Sequence, residues 1–124
     1  METSLLHADV TQKIIGAAFA VYGELGYGFL ESVYKRAMQV ELQNQGLKCE
    51  FESPIKVKYR NVIVGDFRAD LLVNGVVIVE LKVSKDYNPD DEPQLLNELK
   101  ATGMKVGLLI NFGRTKVEFK RLVF

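Results

Sequence analysis

Asp70, Glu80 and Lys82 are the side chains in this sequence best placed to do chemistry. They belong to the stretch Asp70-Leu71-Leu72-Val73-Asn74-Gly75-Val76-Val77-Ile78-Val79-Glu80-Leu81-Lys82, where ionisable groups interrupt apolar runs. Such groups are costly in an apolar strand unless they are paired or hold a metal ion. Glu80 and Lys82 are two residues apart, so they share one face of an extended strand. Asn74-Gly75 is a short-range hairpin signal that folds the two runs together. Apolar parity then selects the register. Leu71 and Val73 share parity with Val77, Val79, Leu81 and Val83, and partners of like parity make one continuous apolar face. A three-residue loop with Gly75 in a left-handed bulge meets this condition by pairing Leu72 with Val76. Asp70, Glu80 and Lys82 then face the same way, and the two carboxylates are diagonal neighbours roughly 7–8 Å apart at the backbone. A divalent ion with oxygen ligands at about 2–2.5 Å can bridge that gap. Without an ion, carboxylates crowded in this way raise at least one pKa.

Composition removes most other chemistries. The 124 residues carry 16 Lys+Arg against 16 Asp+Glu, with one His and one Cys. His7 alone cannot build a Ser-His-Asp triad or a two-histidine zinc site, and Cys49 alone supplies neither an internal disulfide nor a cysteine-rich metal site. Zero formal net charge argues against indiscriminate grip on nucleic acid while leaving room for a local basic strip. What remains is chemistry run on carboxylates, Lys, Tyr, backbone and a hard metal ion. No segment reaches the ~18–20 apolar residues of a membrane span. Ala18-Phe19-Ala20 imitates a signal cleavage site, but Glu2 and Asp9 spoil the basic leader such a peptide needs. The expectation is a cytoplasmic chain of one domain over residues 1–124.

The elements that must position the carboxylates follow from periodicity. Val10, Ile14, Ala17, Ala18, Val21 and Leu25 recur at helical spacing, with Gly26 as the stop. A second helix is expected over about residues 29–45, with Leu30, Val33, Ala37 and Val40 as its apolar stripe and Gly46 as its end. The period then becomes two. Leu47, Cys49 and Phe51 alternate with charged residues, and after Ser53-Pro54 so do Ile55, Val57 and Tyr59. Strands at about 63–73 and 76–83 form the hairpin, and 86–93 is a polar loop. Pro93 and Gly103 bracket a helix carrying Leu95, Leu96 and Leu99. A buried strand at 106–111, a turn at 112–115 and a last strand at 117–123 complete the chain. The fold class is α/β, a mixed sheet with an antiparallel hairpin and helices packed against it.

Asp70…Glu80-Leu81-Lys82 resembles the PD-(D/E)xK motif of the restriction-endonuclease-like nuclease superfamily. Gly28-Phe29-Leu30-Glu31-Ser32-Val33-Tyr34 resembles the signature of its small bacterial branch, the GxxExxY proteins. The likeness continues through Phe67-Arg68-Ala69-Asp70, Gln94-Leu95-Leu96-Asn97, Lys100-Ala101-Thr102-Gly103, the run from Val106 to Gly113, and Lys120-Arg121. It implies a restriction-endonuclease-like core and a Mg²⁺-dependent phosphodiesterase (Mn²⁺ as substitute) acting on DNA or RNA. It implies Asp70 and Glu80 as metal carboxylates, with the Leu81 carbonyl as a further ligand. Lys82 would orient the attacking water, and Glu31 would be an extra acidic residue from the preceding helix. Gln94 would match the helical Gln of nucleases that carry a Gln-x3-Tyr motif. Three positions depart from the pattern: Glu98 where Tyr is expected, Asp91 where His is common, and Pro93 where a small residue is usual. An acid at position 98 would repel a substrate phosphate.

The residues also admit plainer roles. Glu31 and Lys35 have the spacing of a helix-surface ion pair, and Tyr34 that of a packing residue whose hydroxyl finds a partner. Asp86, Asp90, Asp91 and Glu92 suit the start of the next helix. Lys56, Lys58 and Arg60 share a strand face that either tracks a phosphate backbone or is simply solvated. Cys49 reads as a small core residue, and His7 as part of a loose amino-terminal segment. Two functions stay open: a metal-dependent nuclease, and a catalytically inactive nuclease-like module that binds nucleic acid or a protein partner. A homodimer would enlarge the gripping surface, though no residue pattern specifies an interface.

Overall fold

The computed structural model describes residues 6–124; Glu2 lies outside them. Helix α1 (Ala8–Leu25) and helix α2 (Glu31–Asn44) precede strands β1 (Cys49–Tyr59), β2 (Val62–Val73) and β3 (Val77–Lys82). Helix α3 (Glu92–Thr102) then leads to β4 (Val106–Phe112) and β5 (Val117–Val123). The sheet is five-stranded, ordered β1-β2-β3-β4-β5. The β3–β4 pair is parallel and the other three pairs are antiparallel. A parallel neighbour requires a crossover, which α3 supplies.

Helices cover both faces of the sheet. On one face, Ile14, Ala17 and Val21 of α1 and Tyr34, Met38 and Leu42 of α2 pack on Leu71, Val79, Leu81, Leu108 and Ile110. On the other, Leu95 and Leu99 of α3 pack on Ile55, Ala69, Ile78, Leu109 and Leu122. Strand β4 is buried along its whole length, which explains its uninterrupted apolar run. Gly107 admits α3: a Cβ there would stand 2.9 Å from Leu95 Cδ1.

Several expectations need correction. The buried stripe of α2 is Tyr34, Met38 and Leu42, whereas Leu30 and Val40 are 75% and 57% exposed. Both sets have helical spacing, and the larger side chains took the core because they remove more apolar area from water. Strand β1 runs unbroken through Ser53-Pro54. His7 does not lie loose: it immediately precedes α1 with φ 58°, and its carbonyl accepts the Thr11 N–H at 3.0 Å. The Asp/Glu cluster does not cap α3, whose N-cap Asp91 makes no side-chain capping bond. Instead Asn88 caps a short 3-10 turn (Pro89–Asp91) by accepting the Asp90 N–H at 3.0 Å.

The hairpin also differs by one step. Val73 pairs with Val77 and Leu72 with Ile78, so the parity is as expected but the loop is Asn74-Gly75-Val76. Asn74 and Gly75 both have positive φ, 53° and 68°. Asn74 is held from outside the hairpin, its side chain accepting the Lys48 N–H at 2.8 Å. Continuing the ladder one position past Leu71–Val79 sets Asp70 directly opposite Glu80, not diagonal to it.

Candidate functional site

The ladder between β2 and β3 stops at Leu71–Val79, and side chains take over from backbone at the next position. The Asp70 N–H donates to Glu80 Oε2 at 3.1 Å, and the Leu81 N–H donates to Asp70 Oδ2 at 2.7 Å. Each carboxylate is thus fixed by the backbone of the opposite strand. The neighbouring strand is irregular at the same level. Glu52 of β1 has φ 52°, and the β1–β2 pairing passes from Phe51–Leu71 to Ser53–Ala69 without a Glu52–Asp70 pair. Ala69 joins the α3-side core while Leu71, two residues on, joins the α1–α2 side. Strand β2 therefore turns over at Asp70, which places this carboxylate between the two helical layers.

From the α2 side, Lys35 reaches Asp70 Oδ1 at 3.3 Å and Glu52 Oε1 at 3.3 Å. The ion pair read from helical spacing, Glu31 with Lys35, is replaced by these longer-range partners. Glu31 opens α2 and lies within the field of Asp70, Lys82, Lys35 and Asp91; partial burial and then Asp70 raise its pKa. Its position depends on Tyr34, one turn on. That ring is wholly buried, stacks on Phe112 with centroids 4.5 Å apart, and donates its hydroxyl to the Gly26 carbonyl. Tyr34 is thus a packing residue that ties the α1–α2 loop to the core just ahead of Glu31.

From the α3 side come Gln94 and Glu98. The Gln94 Nε2 donates to Glu98 Oε2 at 3.2 Å and reaches Glu80 Oε1 at 3.5 Å. Glu98 is wholly buried and Glu80 is 4% exposed, so position 98 does not present charge to a phosphate as the sequence suggested. It stands behind Glu80 instead. Burial, then Asp70, pushes the Glu80 pKa well above the ordinary carboxylate range, and burial raises that of Glu98. Glu98 Oε1 has no hydrogen-bond partner among the described residues as an ionised group. The raised pKa values mean that both carboxyls hold a proton more readily than free acids do, which lowers the cost of burying them together.

Lys82 ends β3, half-buried, and its charge lowers the pKa of both Glu31 and Glu98. The chain just beyond is clamped by buried Asn111, whose side chain accepts from Ser84 N at 2.8 Å and donates to Ser84 O at 2.9 Å. Asp70, Glu80, Lys82, Glu31 and Gln94 are therefore gathered around the splayed end of the β2–β3 pair. Lys56, Lys58 and Arg60 are not: they lie on the far part of β1 and its turn, where Lys56 pairs with Asp66 at 3.7 Å. Cys49 is buried, and burial pushes its thiol up to about 11, so it is inert. Sequence reasoning missed Lys35 and Asn111 as site neighbours, and it aimed Glu98 at the substrate instead of at Glu80. The one available signal was the Gln94–Glu98 spacing of four, which puts both on one helix face.

The donor set suits a hard divalent ion, with Asp70 and Glu80 as carboxylates and the Leu81 carbonyl beside them. Among the described residues no three His, Cys, Asp or Glu side chains form a ready-made metal cage. Two carboxylates meet the need of an ion such as Mg²⁺, which keeps several of its waters. The Lys35 ammonium beside Asp70 shows that a cation is stable at this point.

Comparison with known proteins agrees with the geometry. The model of a family described as PD-(D/E)XK nuclease superfamily matches residues 8–122. The solved structure "Crystal structure of SSO0001" superposes with a TM-score of 0.55 at 15% identity, over 98% of this chain and 61% of that one. This likeness concerns the fold, and the chain spans less than two thirds of that longer protein. The comparison with curated proteins gave no match. No helix among the described residues is long and apolar enough to cross a membrane.

Proposed function

Because the chain belongs to the PD-(D/E)XK nuclease superfamily, we propose that it is a metal-dependent nuclease hydrolysing phosphodiester bonds of nucleic acid. The observation that carries this reading is the reciprocal bonding of Asp70 and Glu80 to each other's strands. It pre-orients two hard-oxygen donors at the open end of a strand pair, so an ion would require only that Lys35 withdraw from Asp70 and that Glu80 give up its proton. In this reading Asp70, Glu80 and the Leu81 carbonyl hold Mg²⁺, or Mn²⁺ in its place. A bound divalent ion supplies Lewis acidity toward the phosphate and makes a water nucleophilic near neutral pH. Lys82 orients that water, Glu31 accepts hydrogen bonds from further waters at the rim, and Gln94 holds the Glu80 carboxyl. Lys35 has Glu52 as its other partner, so Asp70 would be free to hold an ion without leaving the ammonium unpaired.

The Lys35–Asp70 ion pair also favours a second reading, a nuclease-like module in which the ammonium keeps the site closed and nucleic acid is bound without turnover. The test is a panel of single- and double-stranded DNA and RNA at low salt with Mn²⁺, comparing the parent with Lys82→Ala and Glu80→Ala. A metal-dependent product made by the parent and lost in both variants, with binding retained in Lys82→Ala, supports the nuclease. Equal traces of cleavage in all three proteins refute it.

A further inference from the structure

Beside the carboxylates lies an open cleft of about 790 Å³ between β2 and α3. Its walls are Asp66, Phe67 and Arg68 on one side and Pro93, Gln94 and Asn97 on the other. Gln94 joins this cleft to the site, since its amide reaches Glu80 and Glu98. We infer that the cleft seats unpaired nucleotides, so that the substrate is single-stranded nucleic acid. The inference rests on the phosphodiesterase reading above and names its substrate class.

Size is the first argument. A cleft of this volume lies in the range of about 300–1,000 Å³ that holds small ligands, enough for a few nucleotides. Duplex binders spread over about 1,000–2,500 Å² of protein surface. Access is the second. Glu80 is only 4% exposed and is joined to the cleft wall by Gln94, so a nucleotide whose phosphate nears it from this side turns its base onto that wall. A paired base can do so only by leaving its stack, which costs a few kcal/mol; an unpaired base enters without that cost.

Chemistry is the third. Strong duplex binding draws on about 6–10 phosphate contacts by Lys and Arg. Here the cleft offers one Arg and one Asp, in a chain of zero net charge. What it does offer suits bases. Phe67, half-buried, lines the cleft with an aromatic ring; Arg68, exposed, carries a planar guanidinium that donates to the Glu52 carbonyl at 3.4 Å. The exposed amide of Asn97 both donates and accepts, as recognition of base edges requires, and Gln94, whose nitrogen is held by Glu80 and Glu98, keeps its oxygen as an acceptor. Stacking on aromatic and guanidinium planes with amide bonds to base edges is how unpaired strands are held.

The experiment measures fluorescence anisotropy in EDTA at low salt, with a short labelled oligodeoxynucleotide, its RNA equivalent, and the blunt duplex of each. The parent should bind a single strand on the order of ten-fold more tightly than the matching duplex. Asn97→Ala and Arg68→Ala should each weaken single-strand binding several-fold. Because both side chains are exposed, their melting temperatures and divalent-ion melting shifts should equal those of the parent. Equal or tighter duplex binding, or unchanged single-strand affinity in both variants, overturns the inference even if cleavage and the metal shift are intact. Single-strand binding that depends on Asn97 and Arg68 upholds the cleft even where no metal-dependent cleavage is found, and in that case the nuclease reading alone falls.

Discussion

The buried carboxyls of Glu80 and Glu98 make the stability of the metal-free protein depend on pH in a direction opposite to that of most paired carboxylates. In the unfolded chain both groups titrate near 4.5, and in the folded protein both pKa values are raised. Between the unfolded and folded values the native state therefore binds more protons than the unfolded state, and stability falls as pH rises. The cost is absent below the unfolded pKa, grows through the interval, and is complete once the folded pair has ionised. With one extra proton in the native state, each pH unit costs about 1.4 kcal/mol. With the Glu80 carboxyl pushed up to about 9, the loss from pH 6 to pH 8 is on the order of 2–3 kcal/mol, a large share of the roughly 5–15 kcal/mol that stabilises a domain. Both groups are at most 4% exposed, so solvent screens little of this.

The double variant Glu80→Gln/Glu98→Gln isolates the effect. Both amides keep an acceptor oxygen, one for the Asp70 N–H and one for Gln94, and neither titrates. Thermal unfolding followed by circular dichroism in EDTA, at intervals from pH 5 to pH 9, should show the parent falling by about 10 °C between pH 6 and pH 8 relative to the variant. Contributions from groups distant from the pair cancel in the difference. Parallel profiles for parent and variant over that interval would refute the raised pKa values and the burial argument behind them.

Three further outcomes follow from the packing around the site. Tyr34→Phe keeps the stack on Phe112 but leaves the Gly26 carbonyl without its donor; the urea midpoint should fall by the equivalent of about 1–2 kcal/mol, and an unchanged midpoint would mean that the loop is held by other contacts. Gly107→Ala drives a methyl group into Leu95, 2.9 Å away and wholly buried; denaturant unfolding should report a loss of about 1–3 kcal/mol with an unchanged slope, and a neutral result would show that α3 shifts freely. Lys35→Met removes the ammonium from Asp70; calorimetric titration with Mn²⁺ should show affinity rising roughly five-fold, about 1 kcal/mol, whereas equal affinities would show that the ammonium does not compete with the ion.

What could be read from the sequence divides along a physical line. The parity of Leu71, Val73, Val77 and Val79 was legible because one buried face tolerates no slip by a single residue, and the ladder kept it. The exact pairing was not legible, because Asn74 answers to Lys48 on a third strand, and no rule local to the hairpin contains that contact. The same holds for α2, where two adjacent stripes had helical period and only the sheet beneath could choose between them. Glu98 shows the limit most clearly. As a residue type it suggested a charge facing substrate, yet a carboxyl on the Gln94 face of α3 is wholly buried beside Glu80, and burial raises its pKa. The candidate site occupies the place where these local rules break together: β2 turns over at Asp70, Glu52 is left-handed beside it, and backbone pairing gives way to side chains. A regular strand pair spends its N–H groups on the ladder. Only where the ladder ends can the N–H groups of Asp70 and Leu81 fix two carboxylates instead, so the irregularity that hid the geometry from periodicity is the feature that makes the geometry useful.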